Sequence, residues 1–441
     1  MTKSPPDISY PNLTKEDQVI VVIGMGYVGL TFAVFAASLG VQVCGIEKNL
    51  ELADKISEGK TDVRDVGLQE ELKKVIDNGL LVINNEVCDL DNQKIYVVTV
   101  GTPLEYQSSS IDQMSEVAEF IGSSIRERDL VVLRSTVEIG TTKNLFESLS
   151  AISDKEFYFS MCPERTVEGR ALQELRSLPQ VVSGVNPKSL EMAKNFFEGL
   201  GVETISAEST DSAEFIKLIS NSYRDLNFAF ANEISHIGAS FSINSRDAIR
   251  IANYGYPRNH IQLPGLTGGP CLEKDPLILA KSAKSNGVQT SLLSEGRKIN
   301  ETVPEMAVLE ISRNPKLKEI PSPKFLILGI AFKGRPETSD TRGSLAYTLA
   351  NEINRFFPTS STVGYDPLIS EDTEITMSND LKNALSSSDV VFVQHNSERI
   401  LNEFKAVSKD AIQDEGIVYD FWDVIDRDDL PKQATLYKFG A

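Results

Sequence analysis

The chain has 441 residues, 41% hydrophobic and 24% charged, with 63 acidic against 44 basic side chains and a formal net charge of −19. That length supports about three domains with separate cores, and the acidity argues against nucleic acid or an anionic membrane as the main partner, because both would be repelled. The four cysteines (Cys44, Cys88, Cys162, Cys271) form no CxxC pair and the three histidines are scattered, so neither a disulfide framework nor a metal site is expected.

The first 17 residues are polar and proline-bearing and read as a lead-in, not a signal peptide. From Gln18 to Ile46 there is no charge, and length alone would allow a membrane span. The β-branched run Val19 to Ile23 stops at Gly24, however, and helical spacing begins only after Gly26. A buried strand, a turn and a buried helix explain that pattern better. "GMGYVG" then places Gly24, Gly26 and Gly29 as GxGxxG between strand and helix. The first glycine permits the tight turn, the second lets a pyrophosphate approach the backbone, and the third lets helix and strand pack closely. Glu47 stands 18 residues beyond Gly29 at the end of the next strand. An acid there accepts hydrogen bonds from a ribose diol and repels a 2′-phosphate, which favours NAD, although Lys48 beside it works the other way.

Further strands are expected at "KIYVVTVGTP", "DLVVLRSTV" and "FYFSMCPE", with helical stretches between most of them. Near-continuous Val/Ile runs belong to parallel strands covered on both faces. The fold class is therefore α/β, with residues 1–205 forming a Rossmann-like dinucleotide domain. Thr102, Ser135 and Thr136 end strands of this sheet and face its ligand crevice, or simply cap strand ends. Glu164 and Glu168 in "CPERTVEG" are either rigidly held site acids or surface acids, and Cys162 reads as a small buried residue.

Residues 206–317 read as a helical central domain. "TDSAEFIKLISNSYRDLNFAFANEISHIGASF" predicts one long connecting helix, capped by Thr210 or Ser209, with Phe215, Leu218, Ile219, Leu226 and Phe230 on its buried side. Lys217 and Asn221 are four apart and share a face. They suit oxyanion stabilisation in a cleft, and a salt bridge from Lys217 to Glu214 is the alternative. In "LTGGPCLEKDP", Cys271 begins what reads as a helix, with Lys274 one turn on. Positive charge and helix N-terminal amides favour a thiolate, the glycines leave room for ligands, and Asp275 suits a base or a water-orienting group. A buried structural thiol is the competing reading of Cys271. After the prolines at 315, 321 and 323, strand runs return, and residues 318–441 read as a second, smaller open-sheet domain.

Taken together, "GMGYVGL", "STVEIGTT", "CPERTVEG", "EFIKLISNSYRDLNFAFANE", "GGPCLEKDP" and "GIAFKGRPETSDTRGS" resemble, in order and spacing, the UDP-glucose/GDP-mannose dehydrogenase family over nearly the whole chain. The resemblance implies two Rossmann-like domains joined by the helical domain, and a four-electron oxidation of a sugar C6 alcohol to a carboxylate with two NAD. It implies catalytic roles for Lys217, Asn221, Asp275, Thr136 and Glu164, with Cys271 forming a thiohemiacetal and then a thioester. It also implies cofactor contacts from Gly24, Gly26, Gly29, Glu47, Thr102, Thr136, Glu168, Lys274 and Arg342. Lys333 would bind the nucleotide sugar in residues 318–441, and Arg258 would reach a neighbouring subunit's substrate in a cytoplasmic homodimer built on the long helix. "CPER", with Arg165, is more similar to members that act on UDP-N-acetylhexosamines, which points to UDP-N-acetylglucosamine or UDP-N-acetylmannosamine. Glu273 departs from the pattern by adding a negative charge beside the thiol. A two-electron β-hydroxyacid-type dehydrogenase and a catalytically silent nucleotide-sugar binder are the rival readings.

Overall fold

The computed structural model describes residues 18–86, 93–101 and 110–441. Two compact units, residues 1–219 and 220–441, divide the chain within the long helix.

The first unit holds a six-stranded parallel sheet: β1 (Gln18–Ile23), β2 (Val43–Ile46), β3 (Leu81–Asn84), β4 (Gln93–Val98), β5 (Leu130–Leu133) and β6 (Tyr158–Met161), in spatial order 3-2-1-4-5-6. A short parallel pair, β7 (Gln180–Val182) and β8 (Thr204–Ser206), lies outside this sheet. β1 shows why these strands are apolar throughout. Ile20 and Val22 enter one core with the helix Tyr27–Ser38, whereas Val19, Val21 and Ile23 enter the core on the opposite face. Residues 29–37 of that helix are buried all round, which is why the segment carries no charge and is long enough to suggest a membrane span. Among the described residues, no helix is long and apolar enough to cross a membrane. Cys44 on β2 is disulfide-bonded, a correction to the expectation of no disulfide framework, because spacing along the chain does not reveal which cysteines the fold brings together.

The second unit repeats the plan. Its sheet comprises β9 (Lys324–Leu328), β10 (Ser361–Tyr365), β11 (Thr376–Met377), β12 (Val390–Val393), β13 (Ile417–Asp420) and β14 (Thr435–Lys438), all parallel. The order 11-10-9-12-13-14 is the doubly wound order of the first sheet.

The long helix runs Thr210–Ser240, and the Ser209 hydroxyl caps it by accepting the Ser212 N–H at 3.1 Å. The expected buried side is corrected. Leu218 is buried, but Phe215, Ile219 and Phe230 are 44%, 39% and 48% exposed, and Leu226 is half-buried. The inward face carries small and polar side chains instead: Ala213, Asn221, Asp225, Ala229 and Asn232. Binary patterning misleads here because the helix buries a polar network on one side and presents apolar side chains on the other.

Candidate active site

The first unit builds a dinucleotide cradle. The chain leaves β1 through Gly24 at φ +88°, where a Cβ would lie 3.3 Å from the Val100 backbone. A Cβ on Gly29 would stand 1.8 Å from the Gly24 carbonyl oxygen, which is itself pinned by the Thr99 hydroxyl at 2.8 Å. Gly26 has no atom within 4 Å of its would-be Cβ. Two glycines thus serve close packing and the middle one leaves an open face at the helix start, where unbonded N–H groups attract phosphate. Glu47 accepts the Met25 N–H at 2.9 Å and the Asn49 N–H at 2.9 Å, which fixes its carboxylate at the edge of the glycine turn. Lys48 is drawn off to Glu116, 2.7 Å away. The Tyr27 hydroxyl donates to Asp65 at 2.8 Å and accepts the Gly169 N–H at 3.1 Å, bringing the loop that carries Glu168 to the glycine helix. Burial, and then the neighbouring Asp65, push that phenol far above its ordinary range. Thr136 follows β5 and is half-buried, while Ser135 donates to the Val100 carbonyl at 2.7 Å. Thr102 lies outside the described residues.

Glu164 is buried, not a surface acid. One carboxylate oxygen pairs with Arg134, and the other accepts the Arg165 and Thr166 N–H groups at 2.6 Å each. Burial alone would raise this carboxyl, but Arg134, the Thr166 N–H and the Lys217 charge bring it to about 2. It is therefore a fixed anion at neutral pH. Arg134 is itself buried, donates to Gln180 at 2.8 Å, and stacks 4.9 Å from the Phe32 ring centre. The alternative partner of Lys217 is excluded, since Glu214 instead accepts the Gly140 and Thr142 N–H groups at 2.6 and 2.7 Å. Cys162 is buried, and desolvation pushes its thiol up to about 12.

The second unit builds the thiol loop. Cys271 is exposed and outside any disulfide. It lies on a turn, because the helix begins at Asp275 and not at the cysteine. The Cys271 carbonyl accepts the Asp275 N–H at 2.9 Å, which winds the turn into that helix. Asn221 donates to the buried Asp275 carboxylate at 2.6 Å, so two of the expected site residues meet directly. The glycines before the cysteine do not clear space for ligand. A Cβ on Gly268 would sit 2.3 Å from the Gly343 carbonyl oxygen, and one on Gly269 would sit 2.3 Å from the Phe332 ring. The Gly269 N–H donates to that same Gly343 carbonyl at 2.7 Å. The glycines therefore lock the thiol loop onto the loop after β9, which carries Lys333 and Arg342. The Lys333 ammonium lies 5.2 Å from the Phe332 ring centre, and Arg342 clamps Asp340 through Nε at 3.0 Å to both oxygens. Lys274 is half-buried at the helix cap. Burial raises the Glu273 carboxyl, and Arg297 opposes that shift. Arg258 is exposed and stacks 4.5 Å over the Tyr256 ring.

Sequence reading passes over Arg134, Asp225, Arg297 and Asn300, all buried and charged or polar. The one signal available is spacing, with Asn221 and Asp225 one turn apart on a helix whose other face is apolar.

Three family models match in order: the UDP-glucose/GDP-mannose dehydrogenase family NAD binding domain over residues 18–200, its central domain over 211–302 and its UDP binding domain over 326–427. The chain is 31% identical to UDP-N-acetyl-D-mannosamine dehydrogenase of Pyrococcus horikoshii over 359 residues, covering 79% of this chain and 84% of that one. It is 32% identical to the Methanococcus maripaludis enzyme of the same name over 399 residues, covering 90% and 89%. A solved structure of the Pyrococcus horikoshii UDP-D-ManNAc dehydrogenase superposes with TM-score 0.83 at 27% identity, covering 96% of this chain and 99% of that chain. The chain belongs to the UDP-glucose/GDP-mannose dehydrogenase family of NAD-dependent nucleotide-sugar dehydrogenases.

Proposed function

We propose that the chain oxidises the C6 hydroxyl of UDP-N-acetylmannosamine to the carboxylate in two oxidations, the second of them through a covalent bond to one thiol. The observation that carries the covalent route is Cys271: an exposed thiol on a turn held by close glycine packing, followed directly by the Asn221–Asp275 pair. The sugar assignment rests on the names of the relatives and on the "CPER" stretch. The three-part division into residues 1–205, 206–317 and 318–441 assigns cofactor, thiol and uridine nucleotide to separate parts.

The cradle of Gly24, Gly26, Gly29 and Glu47 fits a dinucleotide, with Thr102, Thr136, Glu168, Lys274 and Arg342 as further contacts. NAD, when bound, accepts one hydride from C6 in each oxidation. In the first, Asp275, oriented by Asn221, takes the hydroxyl proton, directly or through a water held by Thr136. Glu164 is too weak a base for that task with its carboxyl at about 2, so it serves as a fixed negative charge that keeps Lys217 a cation for the developing oxyanion. The Cys271 thiolate then forms a C–S bond to the aldehyde carbon, giving a thiohemiacetal. Loss of the second hydride leaves a thioester. Water adds to its carbonyl, the C–S bond breaks, and the thiolate and the carboxylate are released. Lys333 holds the diphosphate as a point charge.

A second copy of the chain would cover the exposed stripe of the long helix. Phe215, Ile219, Tyr223, Phe230 and Ile237 are all exposed. At 100° per residue they fall within about 80° of the helix circumference. Arg258 would then serve the neighbouring subunit's substrate. Sedimentation of a Phe230→Glu variant should show monomer, and a monomeric native protein would end this assignment. A cytoplasmic location follows from the supply of NAD and nucleotide sugar.

The test is NADH release with UDP-N-acetylmannosamine, UDP-N-acetylglucosamine, UDP-glucose and GDP-mannose side by side. Two NADH per UDP-N-acetylmannosamine is expected. One NADH per substrate would favour a two-electron dehydrogenase, and none with any sugar would leave a silent binder.

A further inference from the structure

We propose that Arg297 is a positioning residue for the Cys271 nucleophile, acting as a single clip across both ends of the thiol loop. The inference rests on the covalent role of Cys271 proposed above. Arg297 projects from the helix Leu292–Ser312 and is 2% exposed. Its Nη2 donates to the Thr267 carbonyl at 2.7 Å and its Nη1 reaches the Leu272 carbonyl at 3.4 Å. Those two carbonyls flank Gly268, Gly269, Pro270 and Cys271. The same Nη1 donates to Asp225 of the long helix at 2.6 Å. Asp225 is further held by Asn300 at 2.9 Å, and Asn300 accepts from Asn232 at 2.8 Å. Asn232 in turn donates to the Gly265 carbonyl at 3.1 Å and accepts the Gly265 N–H at 2.9 Å. Glu301 lies 3.2 Å from Nε at the exposed edge, and Glu273 and Asp225 also contribute charge here.

The thiol loop has no ladder or helix of its own before Asp275. Its backbone carbonyls at 267 and 272 need donors once buried. One planar guanidinium meets both and fixes their separation, which a point-charge ammonium does not do. Gly269 fixes the other side of the loop against Gly343. The sulfur is thus set by two independent attachments, and only one of them is a side chain. Loss of the clip leaves the thiol present but loosely aimed, and a displacement near 1 Å lowers a rate by about 100-fold.

The experiment compares wild type with Arg297→Lys, Asp225→Asn and Glu301→Gln. Iodoacetamide alkylation of Cys271 is followed by peptide mass across pH 6 to 9, with buried Cys162 as the unreactive internal reference. In parallel, NADH and acid are counted with UDP-N-acetylmannosamine. For Arg297→Lys, the alkylation midpoint should move and kcat should fall about 10- to 100-fold. KM for both substrates should stay within about twofold, because the cradle and the diphosphate contacts are untouched. The NADH-to-acid ratio should rise above 2 as aldehyde escapes. Asp225→Asn should show the same shift in weaker form, and it decides the matter if Arg297→Lys gives no cooperative melt. Glu301→Gln should match wild type. Unchanged alkylation profiles in folded Arg297→Lys and Asp225→Asn would overturn the proposal. A wild type that releases no NADH with any nucleotide sugar would instead sink the proposed function, while the alkylation profiles would still judge Arg297.

Discussion

Cys271→Ser should lower net acid formation by on the order of 10³-fold or more while NAD still binds. A serine keeps the turn, since the bonds that shape it run through the backbone of residues 269, 271, 274 and 275. What changes is the nucleophile. The hydroxyl is a far weaker acid than the thiol and a far poorer nucleophile at neutral pH. The first oxidation should survive in part, because Asn221 and Asp275 are untouched and remain 2.6 Å apart. Aldehyde should therefore leak out, trappable with a hydrazine, and NADH should stop near one per sugar. Undiminished acid production by the serine variant would exclude the covalent route and leave hydration of free aldehyde as the path. NAD affinity, read by fluorescence quenching, should stay within about twofold, since the glycine turn is built in the other unit.

Arg134→Ala should destabilise the first unit by about 3–5 kcal/mol at neutral pH, because it strips the countercharge from a buried carboxylate. The Arg165 and Thr166 N–H groups and Lys217 remain to Glu164, so the loss is severe but not total. Gln180 and the rings of Phe32 and Phe197 also lose their partner. The sign of the pH dependence follows from the depressed carboxyl. With a folded-state value of about 2 against an ordinary 4.5, Glu164 contributes stability above pH 4.5 that is lost as pH falls toward 2. In wild type that contribution is on the order of 3 kcal/mol. In the variant it is small, so the stability gap between the two proteins should narrow between pH 7 and pH 3. Urea melts at both pH values measure it. A gap under about 1 kcal/mol at pH 7, or one equally wide at pH 3, would mean that Glu164 is not held by this pair.

Local chemistry made much of the molecule legible before any contact was known. The strand runs that begin at Val19, Lys94, Leu130, Phe325 and Val390 are continuous because each is covered on both faces, and that property is written in consecutive side chains. The glycine turn and the thiol loop announce themselves because a positive φ, or a Cβ-free approach, leaves few other residue choices. β3, β7, β8, β11 and β14 are short edge or satellite strands, and their pairing comes from the sheet they join, not from their own pattern.

The tertiary structure alone decided the partners. Arg134 finds Glu164 across 30 residues, and Arg297 finds Asp225 across 72. No helical or strand period reaches so far, so sequence reading passes over Arg134, Asp225 and Arg297 and leaves Glu164 open between a site acid and a surface acid. The same limit hid the outward face of the long helix, where burial depends on what packs against it. It also misassigned Gly268 and Gly269, whose missing side chains admit Gly343 and Phe332 and not a ligand. Residue type sets what a side chain can do, but only the fold sets what it meets, because the energy of a buried charge or a close backbone approach is a property of the pair.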